Sequence, residues 1–158
     1  MHYAPNVDAA FHLIRDVFPV VRVEIPDAQL HIVGRDPTPE LRAAQNVPGV
    51  TIIGFVEDVR PWLEGATVFA SPIRFGAGIQ NKVLEAMAME LPVVASTVAA
   101  DGLRTNEGTM PPVDIADDPS QWLDSSSTTS GRAKIRPLRF RLIATSFAEI
   151  ATGRTARN

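Results

Sequence analysis

Through the first 120 residues, short apolar runs alternate with amphipathic stretches, and this alternation constrains the fold more than any other feature. Val7, Ala9, Ala10, Leu13, Ile14 and Phe18 recur at helical spacing after Pro5, with Asn6 or Asp8 as the cap. Pro26-Asp27 is a turn signal, and Gln29 to Val33 is a short apolar run closed by Gly34, which predicts a strand. Thr38-Pro39-Glu40 opens a second helix, because proline suits the first helical turn. Strands are predicted at Val50–Ile53, Thr67–Ala70 and Pro92–Ser96, with a further short one at Val113–Ile115. Helices are predicted at Asp58–Leu63 and from about Ile79 to Met89. Such βαβ units imply the α/β class: a Rossmann-like parallel sheet with helices on both faces. A helix starts almost at Met1, so the leading strand of such a sheet is expected to be missing, leaving a gap or a raw edge.

Composition sets the outer bounds. A chain of 158 residues, 45% hydrophobic and 21% charged, has the balance of a globular domain rather than of a disordered segment or a coiled coil. There are no cysteines, which excludes a disulfide framework, a thiolate zinc site and a thiol nucleophile. The start MHYAPNVDAA lacks the basic and apolar regions of a signal peptide, so a cytoplasmic location is expected. The net charge of -3 conceals an asymmetry: residues 131–158 carry +6 and residues 1–130 carry -9. Two regions are therefore expected, a domain over 1–124 and a Ser-rich linker with a basic tail over 125–158. Within the tail, Leu138, Phe140, Leu142, Ile143, Phe147 and Ile150 fit alternation in part and helical spacing in part, and a weak helix is predicted over about 139–151.

The chemistry concentrates in SPIRFGAGIQNKVLEAMAMELPVVAS, residues 71–96. Gly76 and Gly78 let a backbone approach a ligand without interference from a Cβ. The loop enters a helix whose first amides are unpaired and whose dipole end is positive, an arrangement suited to a phosphate or diphosphate. Lys82 adds positive charge at that end, and Glu85 follows on the same helix face, where a carboxylate accepts hydrogen bonds from a ribose diol. The bland reading is a solvated Lys82–Glu85 ion pair worth a few tenths of a kcal/mol. Ile79, Val83, Ala86 and Met87 form the core-facing stripe. His2, His12 and His31 show no ligand spacing, and Asp114, Asp117 and Asp118 read as loop and cap residues, so no metal site is expected. Both the Walker pattern and the strict Gly-x-Gly-x-x-Gly dinucleotide pattern are absent.

RFGAGIQNKVLEAMAMELPVVAS resembles the donor-binding signature of retaining group 1 (GT4-like) glycosyltransferases of the GT-B fold. PDAQLHIVGRDP, VPGVTIIGFVEDVRPWLEGATVFASP and STVAADGL resemble its flanking segments in the same order, over about residues 3–122. The subtype is similar to sugar transferases of bacterial exopolysaccharide clusters linked to protein sorting. The resemblance implies the donor half of a polysaccharide-building transferase. Its donor would be a nucleotide-diphosphate sugar, a substrate rather than a cofactor, and no cofactor is implied. Glu85 would bind the ribose; the Gly76, Gly78 and Ile79 amides would meet the diphosphate; Lys82 or Arg74 would neutralise it. The loop Gly54-Phe55-Val56 would frame the base, with Gly34 and Arg35 on the same rim.

The pattern departs from the family in places. Many members carry a glutamate eight residues before the ribose-binding one; here that position is Ala77. The N-terminal acceptor domain of the GT-B fold is expected to be a missing partner, with an unknown glycan or lipid-linked glycan as acceptor, so the chain alone is expected to be inactive. Residues after about Trp122 do not resemble the closing helices of the family, as a reading-frame shift or a fused end would produce. The alternatives are a non-catalytic nucleotide- or phosphate-binding module and a non-functional gene fragment. No nucleic-acid partner is expected; arginines interleaved with Phe140, Leu142 and Ile143 suit weak membrane-surface association, although a solvated tail needs no partner.

Overall fold

A computed structural model of the chain describes residues 3–76, 78, 80–122 and 141–146. The first helical rod comprises α1 (Ala4–His12), a π-helical turn (Leu13–Val17) and α2 (Phe18–Glu24). Pro19 explains the wide turn: it lacks an N–H and its ring crowds the carbonyl four residues back, so Phe18 N–H instead reaches Leu13 O. The remaining order is β1 (Gln29–Gly34), α3 (Pro39–Ala43), β2 (Val50–Gly54), α4 (Arg60–Glu64), β3 (Val68–Ser71), α5 (Asn81–Ala88), β4 (Val93–Ala95), α6 (Thr97–Asp101), β5 (Asp114–Ile115) and β6 (Arg141–Ser146). Thr38 caps α3 through its hydroxyl, and Ser96 caps α6 in the same way.

The six strands form one parallel sheet in the order β2-β1-β6-β3-β4-β5. This corrects two expectations from the sequence. Residues 141–146 of the tail are a strand rather than part of a helix, and the place of the leading strand is occupied rather than open. Counting β6 first turns the order into 3-2-1-4-5-6, that of the doubly wound dinucleotide fold. Gln29 to Gly34 pair with Arg141 to Ser146 on one side of β6, and Val68 and Phe69 pair with Leu142 and Ile143 on the other. A short apolar run fits either period, and only the vacant sheet position decides between them.

Alternate residues serve opposite layers. Leu30, Ile32, Leu142, Val68, Ala70 and Val94 pack with Leu13, Val17 and Phe18 of the first rod. Val33, Ile143, Phe69, Val93 and Ala95 pack with Leu63, Val83 and Ala86 of α4 and α5. Leu142 and Ile143 are 2% and 1% exposed, so β6 contributes a fully buried side chain to each core, with Ala144 packed beside Leu142's cluster. All strands being parallel, their carboxyl ends share one edge, where ligands of doubly wound sheets bind.

Candidate functional site

The carboxyl edge gathers the residues singled out in the sequence from three connections. β1 ends in Gly34 and passes to Arg35; β2 ends in Gly54, with φ +78°, and passes to Phe55 and Val56. The Arg35 guanidinium lies 4.6 Å from the Phe55 ring centroid, so the two rims are in contact through a cation–π pair. Val56 packs against the inner cluster, while Phe55 is 57% exposed.

The third connection is the glycine loop between β3 and α5. Gly76 and Gly78 have φ of +106° and +119°, which L side chains adopt only under strain. A Cβ at Gly76 would stand 3.1 Å from both Pro5 Cγ and Tyr3 Oη, so the loop is seated on the first turn of α1. On the other side, a Cβ at Gly102 would fall 2.5 Å from the Gly78 carbonyl oxygen. Gly102 is thus the floor beneath the loop. The start of the loop is fixed as well, since Ser96 Oγ donates to Ile73 O while accepting from Ala99 N–H. Ala77 and Ile79 lie outside the described residues.

Both cations of the loop and helix are turned to α1. Arg74 donates through Nε at 2.8 Å and through Nη2 to the two carboxylate oxygens of Asp8. That hydrogen bond holds the Asp8 carboxyl below its usual range and Arg74 above its own. Lys82 Nζ donates to Asn6 Oδ1 at 2.8 Å, and burial of its ammonium brings its pKa down to about 8. Among the described residues its hydrogen bond therefore runs to Asn6, and no Lys82–Glu85 pair forms. Glu85 is half-buried on α5, and burial raises its carboxyl above the ordinary range. Val83 and Ala86 of the expected stripe are fully buried, with Met87 packed on the same cluster.

Sequence reasoning missed Tyr3, Asp8 and Gly102 as parts of this site. Asp8 is 66 residues from Arg74 and Asn6 is 76 from Lys82, so no local pattern connects them. His12 Nδ1 lies 2.7 Å from Asp16 Oδ2, and the His31 ring meets Trp62 edge-on at 5.9 Å. Among the described residues no group of three or more His, Asp or Glu is placed to hold a metal ion. A cleft of about 550 Å³ opens between α1 and the loop, with Asp8, Phe11, Arg15, Arg74 and Phe75 on its walls.

The fold and the loop define a class: a doubly wound α/β domain with a glycine loop leading into a helix at its carboxyl edge. Comparison with known families is more specific. Residues 1–125 match the family model for group 1 glycosyl transferases, and the chain belongs to that family. It is similar to an uncharacterized 44.6 kDa protein in the cps region of Klebsiella pneumoniae, with 28% identity over 111 residues. The aligned part covers 65% of this chain and 29% of that relative, so the chain spans under a third of that protein's length. β6 lies beyond the family match. Among the described residues no helix is long and apolar enough to cross a membrane.

Proposed function

We propose that this domain is the donor half of a retaining glycosyltransferase and binds a nucleotide-diphosphate sugar at the carboxyl edge of its sheet. The observation that carries the reading is the glycine loop: two residues at positive φ, seated between α1 and Gly102, deliver the chain into α5 at the middle of the sheet. Backbone amides there suit a diphosphate, and Glu85, about one turn into α5, suits the ribose hydroxyls. Burial raises the Glu85 carboxyl above its ordinary range, and in its ionised form the group accepts two hydrogen bonds. Arg74 on the loop and Lys82 behind it supply positive potential, and the rim of Gly34, Arg35, Phe55 and Val56 suits a base.

In such a reaction the diphosphate leaves as the sugar–phosphate bond breaks, and fixed dipoles aimed at it stabilise the charge that develops. The domain supplies that stabilisation. Positioning of the acceptor, a glycan or lipid-linked glycan of polysaccharide assembly in the cytoplasm, falls to an N-terminal domain, and proximity contributes much of the rate. A second reading, a nucleotide-binding module without transfer, is favoured by Ala77 in place of a donor-sugar carboxylate. Calorimetric titration with UDP and GDP tests both. Saturable binding that Glu85→Ala weakens by about 1.5–3 kcal/mol, the worth of a charged hydrogen bond, supports a donor site. Absence of binding by the folded chain removes both readings. Transfer after addition of an N-terminal half separates the first from the second.

A further inference from the structure

Beneath the first turns of α1, where β6 meets β3, lies a cavity of about 20 Å³. Its apolar walls include Ala10, Leu13, Ile32 and Ala144, and its polar lining is Asn6, Ser71 and Lys82. Ser71 is 1% exposed, and its Oγ has no hydrogen-bond partner among the described residues. A buried hydroxyl left without a partner is destabilising, so an empty cavity is a poor account of it. Lys82 is in the same position on a larger scale. Lys82 is half-buried, lines the same cavity, carries three donors, and gives one of them to Asn6 Oδ1. No carboxylate pairs with it among the described residues. A partly desolvated charge without a counter-charge is costly, and the amide oxygen of Asn6 offers only a dipole.

The unmet needs are the same in kind. Ser71 Oγ–H and the remaining Lys82 N–H groups are donors, and the acceptor of Asn6 is already engaged. One occupant that accepts from both and carries negative charge satisfies them together. The volume exceeds the roughly 10–15 Å³ needed for a single water and suits one small occupant. We propose that this cavity is a binding site for one small monovalent anion, a halide ion held between Lys82 Nζ and Ser71 Oγ. The ion is the counter-charge of the lysine and braces α1 against β3 and β6. The site shares Lys82 with the nucleotide reading, but its ligand sits under α1 beside Ser71 rather than on the glycine loop.

The test is a thermal melt of the full chain at neutral pH in sodium chloride and in sodium gluconate of equal ionic strength, gluconate being too large to enter. The expected result is a saturable rise in Tm with chloride and none with gluconate. Ser71→Ala removes one of the two donors and is expected to raise the half-saturating chloride concentration by about tenfold, and Lys82→Met to abolish the response. Chloride-35 NMR on the native chain gives a second readout: line broadening that bromide displaces, and that Ser71→Ala reduces even where Lys82→Met does not fold. Identical melting in the two salts, as a bound water would give, overturns the proposal. An unchanged chloride response in Ser71→Ala overturns it equally.

Discussion

Truncating β6 at its two buried side chains tests whether the basic tail completes the sheet. Ile143 is 1% exposed, in register with His31 on one side and Phe69 on the other, and it packs into the layer of α4 and α5. Leu142 is 2% exposed, in register with Leu30 and Val68, and it packs under the first helical rod. Each substitution by alanine removes three carbons from a close-packed site between two strands and a helix. Such losses cost about 2–5 kcal/mol, the upper end applying where neighbours cannot collapse into the space. Parallel strands on both sides restrain collapse here, so about 3 kcal/mol or more is expected for each. With a urea m-value of about 2 kcal/mol/M, that moves the unfolding midpoint down by roughly 1.5 M. Val23→Ala on the first rod, at a side chain 77% exposed, is the control and is expected to stay within about 0.5 kcal/mol. The assay is equilibrium urea unfolding followed by far-UV circular dichroism. Midpoints of Leu142→Ala and Ile143→Ala equal to wild type, beside a large loss in Leu30→Ala, would show that β6 is not a central strand.

Three further outcomes follow from particular contacts. Gly102→Ala places a Cβ 2.5 Å from the Gly78 carbonyl oxygen, a backbone atom that must shift, so stability is expected to fall by about 1–3 kcal/mol. UDP affinity is expected to fall with it in calorimetry, and unchanged affinity would place the ligand away from this loop. Lys82 titrates at about 8 in the folded chain against an ordinary 10.5, so between those values the unfolded chain binds more protons and stability rises with pH. The gain is on the order of 3 kcal/mol relative to Lys82→Met, read as the difference of urea midpoints from pH 7.5 to 10.5, and a constant difference would contradict the burial of the ammonium. Asp8→Asn removes a largely solvent-facing pair with Arg74 and is expected to cost about 1 kcal/mol or less at pH 7. Because the folded Asp8 pKa lies below the ordinary 3.8, that increment is present above pH 4 and disappears as pH falls through the folded value; acid titration of both proteins checks it.

Much of the fold was legible because its strands are short, apolar and punctuated. Gln29 to Gly34 and Val50 to Gly54 end at glycines, and Val93 to Ala95 is introduced by a proline, so local chemistry marks their bounds. The short α6 escaped notice although Ser96 caps it, because five residues carry too little periodicity. β6 was misread because Arg141 to Ser146 fits a helix as well as a strand, and its partners lie some 74 and 112 residues away in Thr67 and Gln29. The same limit applies to the site. Gly76, Gly78, Lys82 and Glu85 announce themselves as a loop and helix, whereas the pairing of Arg74 with Asp8 and of Lys82 with Asn6 depends on where α1 lies across the sheet.

Amide-resolved NMR of the isotope-labelled chain during titration with UDP or GDP tests the donor-site reading most directly. The account predicts saturable shifts concentrated at the glycine loop, at Glu85 and at the Gly54–Val56 rim, with the amino edge of the sheet around Leu30 and Val50 unmoved. Shifts centred on that opposite edge, or none in a folded chain, would contradict it.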